Sequence, residues 1–212
     1  MSSPALSAEG IAMQQQVQRH LGRCLMRIQQ YEHLAKALAA HADLAGPAKQ
    51  LEDIQAKRVE KASTATLGTL VKGETTTFTN LRTLFTANAH KPDALDESKL
   101  PSDQPSFATR FRIQMTEEKR AKTVAELDTF VALRNRLVHH FMDDFDILSD
   151  AGCTTALQHL HQCYAEIDRH FEAMRAYVQQ FHETRQRMAV LIQTPEYSNL
   201  LNSGQIPAKI RF

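Results

Sequence analysis

Residues 131–146, VALRNRLVHHFMDDFD, gather two arginines, an asparagine, two adjacent histidines and three aspartates into one short run. These residue types can cleave RNA without a metal ion. That reaction needs a base for the ribose 2′-hydroxyl, an acid for the leaving 5′-oxygen and a fixed positive charge for the crowded phosphate. Histidine, with a free pKa of about 6.5, exchanges protons near neutral pH, while arginine stays charged and grips phosphate oxygens in a fork. Asn135 and His139 are four apart and share a helix face, so Asn135 can orient the ring or the phosphate. Arg134 and His139 are five apart, roughly 140° round an ideal α-helix. One such helix does not aim both at a single phosphate, which favours a cleft between two copies.

The same run also reads as an ordinary amphipathic helix. Leu133, Leu137, Val138 and Phe141 would then face the core, and Arg134, Asn135, His139 and Asp143 the solvent, with His139–Asp143 and His140–Asp144 as modest pairs. His139, His140, Asp143, Asp144 and Asp146 are ligand types without a recognised metal spacing. No metal site and no cofactor is expected.

An arginine followed after four to six residues by a histidine occurs three times: Arg27 with His33, Arg134 with His139 and His140, and Arg175 with His182. Composition alone gives about two such pairs by chance, so spacing does not choose among them. The next residue does, for only Arg134 is followed by a polar one, Asn135, and the family that this stretch resembles favours a polar residue there. The string LRNRLVHHF resembles the Arg-Asn-x-x-x-His-x-Tyr signature of HEPN toxins encoded beside a minimal nucleotidyltransferase. The resemblance covers this helix closely and the helical layout around it loosely. It implies an all-α, HEPN-like up-and-down bundle acting as a homodimer, with the two motifs facing each other. The activity implied is a metal-independent endoribonuclease working in a toxin, phage-defence or RNA-processing role, with RNA as substrate. Arg134, Asn135 and His139 are the implied catalytic residues, with His140 as a secondary candidate. An antitoxin or nucleotidyltransferase-type partner is implied as well. Phe141 stands where these relatives carry the tyrosine that receives a nucleotide, so silencing by that route is not expected. The alternative is a catalytically inactive HEPN-like module that binds RNA, nucleotide or protein; a third reading makes the long helices themselves an interaction surface.

Long helices must position this run. Val17, Leu21, Cys24, Ile28, Tyr31, Ala35 and Leu38 alternate by four and three, predicting a helix from about Ser7 to His41 that stops before Gly46 and Pro47. A second helical stretch covers AKQLEDIQAKRVEKA and extends with less support through STATLGTLVKG, and TTTFTNLRTLF suggests a short helix entered from a threonine cap. Residues 86–106 carry three prolines and no period, and the stretch 86–115 is expected as a loop or insertion, within which FATRFRIQM could form a short strand or arm. Thr116 caps the helix that carries the motif, with Glu117 and Glu118 in its first turn. From Leu157 to Ile192 the apolar stripe is unbroken but for Arg185, a span of roughly 54 Å, so part of this helix should project and pack on a partner or on the N-terminal helix. One helical domain over 1–193 and a tail over 194–212 follow.

The composition fits this reading. Seven glycines, seven prolines and few aromatics favour helix, and the net charge of +1 neither requires nor forbids a nucleic-acid partner. An RNA footprint would have to be local, and Arg110, Arg112, Lys119, Arg120 and Lys122, with Arg136 beside the motif, are its candidates, diluted by Glu117 and Glu118. Cys24, Cys153 and Cys163 form no CxxC pair and suit a reducing compartment. No membrane segment or leader is legible, so a cytoplasmic protein is expected. His159 and His161 read as surface histidines, since neither spacing suits zinc, and TLGTLVKGE lacks a phosphate-loop pattern.

Overall fold

The computed structural model describes residues 7–73, 77–87, 106–197 and 199. Its frame is two long helices laid side by side. Helix α1 (Ala8–His41) starts where the Ser7 hydroxyl accepts the Gly10 N–H at 2.9 Å, and of its seven stripe residues all are buried except Leu21, which packs partly. Helix α7 (Asp150–Leu191) starts in the same way, with Ser149 accepting the Gly152 N–H at 3.1 Å. The Ser7 hydroxyl also donates to Asp150 at 2.7 Å, and further contacts follow in step: Thr154 on Met13, His161 on His20, Asp168 on Arg27 at 2.8 Å. The two helices therefore run parallel. Phe181 is the last buried residue of α7, and Val190 and Ile192 near its end are exposed.

Helix α5 (Glu117–Asn135) runs the opposite way across this pair, capped by Thr116 as expected. Glu126 meets Arg169, and the Phe130 ring sits between Tyr31 (centroids 4.3 Å apart) and His170 (4.7 Å). A π-helical turn (Arg136–His140) and the short helix α6 (Phe141–Asp144) continue it, and the Gln14 amide donates to the Ile147 carbonyl at 3.1 Å beyond. Gly152 lets the connection return tightly, because a Cβ there would collide with the Asp146 carbonyl.

The remaining elements close the far end of α1. These are β1 (Asp43–Pro47), a 3₁₀ turn (Ala48–Gln50), α2 (Leu51–Thr64), α3 (Leu67–Lys72), α4 (Leu81–Leu84), β2 (Phe85–Ala87), β3 (Ser106–Arg110) and β4 (Ile113–Met115). The second helical stretch is broken, since Ala65 is extended and Thr66 caps α3 afresh. Helix α4 is capped by Asn80 rather than by a threonine, because Thr79 is committed elsewhere. Both ends of the stretch 86–115 are paired: β1 lies antiparallel to β3 with Asp43 opposite Arg110, and β2 lies parallel to β4 with Phe85 opposite Ile113. FATRFRIQM thus supplies β3 and β4, residues 88–105 fall outside the described ones, and so do 198 and 200–212 of the expected tail. The fold is all-α with two small ribbons, and none of its described helices is long and apolar enough to cross a membrane.

Asp43 ties these pieces together. Arg112 forks onto its two oxygens at 2.6 and 3.0 Å, and the buried Thr79 hydroxyl donates to it at 2.9 Å. Arg58 donates to the Ala40 carbonyl at the end of α1 and to the Thr79 oxygen. With both partners about a quarter exposed, losing either side of the fork should cost about 1–3 kcal/mol. Chemical denaturation should show Arg112→Ala and Asp43→Ala each destabilised by that order, with the double variant less affected than the sum. A second expectation concerns acid. Burial holds His170 below the ordinary imidazole value of 6.5, aided by Arg169 and opposed by Glu166 and Glu126. The unfolded chain binds a proton that the folded one excludes, so stability is complete above pH 6.5 and declines as the pH falls below it. Urea titrations at pH 7.5 and 5.5 should show that loss, and His170→Gln should reduce it.

Candidate active site

The π-helical turn answers the geometric difficulty posed by Arg134 and His139. Across Arg136–His140 the backbone is wound with i to i+5 hydrogen bonding, and His140 ends it at φ −123°, ψ 2°, in the sparsely populated bridge region. In this wider turn residues five apart stand over one another. Arg134 Nη1 lies 3.3 Å from His139 Nε2 and also donates to Asn135 Oδ1 at 3.2 Å. The expectation that one helix keeps the two apart is therefore corrected: all three motif residues meet within one chain. Leu137 and Phe141, four apart, stay buried and anchor the turn, whereas Val138, expected in the core, is 43% exposed.

A fourth residue completes the cluster. Glu32 on α1 accepts from Arg134 Nε at 3.3 Å, with side chains 17% and 24% exposed respectively. No sequence spacing points to Glu32, because it lies 102 residues from its partner. Its carboxylate fixes the guanidinium from one side while Asn135 and His139 engage Nη1. Among the described residues Nη2 has no hydrogen-bond partner, so it remains available for an incoming phosphate oxygen. Arginine can only donate, so this contact is a hydrogen bond in the neutral tautomer that carries its proton on Nδ1 and accepts at Nε2. An imidazole whose bare nitrogen is held beside a phosphate-gripping group is disposed to act as a base.

The other candidates take different roles. His140 is 63% exposed by side chain and pairs with Asp143 at 3.4 Å, away from Arg134. Arg136 is held by Asp144 at 2.6 Å, a bond that keeps the Asp144 carboxyl below its usual range and raises the guanidinium. The other candidates for an RNA footprint lie near the start of the motif helix, at a distance from Arg134. Arg112 is committed to Asp43, and Arg120 donates to the Phe85 carbonyl and to Glu117. Arg110 sits on β3, and Lys119 and Lys122 are exposed in the first turns of α5, roughly 20 Å along the axis from Arg134. Phe141 is 4% exposed and packs against Phe145 with centroids 5.1 Å apart.

Behind the turn, His159 lies on Phe145 with its Nε2 3.3 Å from Cys163 Sγ. This resembles a nucleophilic pair only in composition. Burial pushes the Cys163 thiol up, Glu166 adding to the effect, and burial followed by Arg136 lowers His159, so a neutral thiol meets a neutral ring. All three cysteines are buried and free, and burial drives the Cys24 thiol up to about 12. Among the described residues no group of three metal-ligating side chains gathers.

Comparison with protein-family models, with curated proteins and with solved structures finds no match to this chain. The geometry therefore carries the functional argument. The tautomer is its most direct test: ¹⁵N NMR of the His139 ring should show the proton on Nδ1, and Arg134→Ala should return the ring to a mixture of tautomers.

Proposed function

We propose that the protein is a metal-independent endoribonuclease of the HEPN kind, with Arg134, Asn135 and His139 as its catalytic set. The observation that supports this is the meeting of Arg134 and His139 on the π-helical turn, where an imidazole nitrogen and a fixed cation lie within reach of one phosphate. The 2′-oxygen attacks phosphorus while the bond to the 5′-oxygen breaks, giving a 2′,3′-cyclic phosphate and a 5′-hydroxyl. His139 takes the 2′ proton, Arg134 neutralises charge on the non-bridging oxygens, and Asn135 and Glu32 hold the guanidinium in place. In-line attack puts nucleophile and leaving group on opposite sides of the phosphorus. The proton for the 5′-oxygen must then come from the far side, and the His139 of a second copy, in its imidazolium form, supplies it in a homodimer and is left neutral. A cytoplasmic toxin or phage-defence role restrained by an antitoxin or nucleotidyltransferase-type partner fits this chemistry, although buried Phe141 offers no hydroxyl for nucleotide attachment.

A second reading has its own support. Glu32 already pairs with Arg134, and a phosphate must share or displace that carboxylate. A non-catalytic HEPN-like module that binds RNA, nucleotide or protein through this cluster would carry the same residues. The two readings separate on total RNA incubated with the protein in EDTA. Catalysis predicts cleavage that persists, leaves 5′-hydroxyl ends, and falls at least about 100-fold in both Arg134→Ala and His139→Ala. Binding without scission, weakened by Arg134→Ala, would favour the module.

A further inference from the structure

We propose that His20 and His161 form a binding site for a divalent transition-metal cation of the zinc type, bridging α1 and α7. The argument is independent of the ribonuclease reading and rests on a juxtaposition that sequence spacing cannot show, because the two residues lie 141 positions apart. Their Nε2 atoms are 3.4 Å apart, with ring centroids at 4.4 Å and planes near perpendicular. A tetrahedral ion about 2.0–2.1 Å from each nitrogen requires a nitrogen–nitrogen separation of roughly 3.3–3.4 Å. The parallel packing of the two helices thus brings the two nitrogens within the span of one ion, and the rings, which meet edge to face, would turn to coordinate it.

Two imidazolium rings at this distance would repel. A neutral imidazole is the form that ligates, and an ion would replace the single proton that two neutral rings can share. His161 is exposed and His20 half-buried, so an ion can reach the pair from solvent, with water filling its other positions. Arg23 is the unfavourable neighbour. Its guanidinium lies over the Tyr164 ring, 4.9 Å from the centroid, and keeps a positive charge one turn from His20. Imidazole ligands without a carboxylate select Zn²⁺, Ni²⁺ or Cu²⁺ over Mg²⁺ or Ca²⁺.

The test uses the full chain, stripped with EDTA and exchanged into metal-free buffer, with ZnCl₂ and separately MgCl₂ as the probes. Calorimetric titration should find one zinc per chain, no magnesium binding, and a rise in Tm with zinc, since an ion bound across two helices favours the folded state. His20→Ala and His161→Ala should each weaken binding at least about ten-fold and abolish the Tm rise, while His159→Ala keeps both. Arg23→Gln should tighten binding several-fold by removing the opposing charge. Circular dichroism of each variant separates loss of the site from loss of the fold. Zinc binding unchanged in both His20→Ala and His161→Ala, or no saturable binding below about 1 mM, would overturn the proposal.

Discussion

Everything in this fold follows from laying α1 and α7 side by side in the same direction. Antiparallel helices can be joined by a short turn, but parallel neighbours demand that the chain travel back the full length of the first before starting the second. For α1 that distance is roughly 51 Å. Helix α5, the π-helical turn and α6 make the return journey, and they do so across the groove that α1 and α7 leave open. The return segment therefore touches both long helices, and its dipole opposes the two aligned ones. The cluster of Arg134, Asn135 and His139 lies on the long element that, among the described residues, returns along both partners, which is how Glu32 on α1 comes to meet it.

The widened turn is the second consequence of that path. Phe130 must wedge between Tyr31 and His170, and Leu137 and Phe141 must reach the same core farther along. With 3.6 residues per turn, Arg134 and His139 would diverge. Winding five residues into the π form keeps the apolar side chains inside and swings His139 back over Arg134. Such turns hydrogen-bond less favourably than α-helix and persist where the surroundings hold them, and here the buried anchors lie within and just after it.

Much of the frame was legible in the sequence. The alternation from Val17 to Leu38, the serine before α1 and the threonine before α5 state their elements directly, because burial and capping act through near neighbours in the chain. Asn135 singled out, of three arginine–histidine pairs, the one whose side chains meet at 3.3 Å beside a π-helical turn. What could not be read were relations between distant segments. Arg112 looked like a free cation until Asp43, on another strand, claimed it; Glu32 and His20 carried no local signal at all; and Val138 looked like core because the period was counted as α-helical. The strands β2 and β4 are only three residues each, too short to alternate convincingly, and their existence depends on pairing with each other.

The π-helical turn also bears on how such a site tolerates change in length. An inserted residue in a rigid α-helix would rotate everything beyond it by about 100° and dismantle a two-residue constellation. A helix that can take up an extra residue as a wider loop keeps its flanking faces in phase, so the spacing between the two groups is free to drift while their encounter is preserved. In this chain the meeting of guanidinium and imidazole is thus set by how the backbone winds and not by the number of residues between them alone.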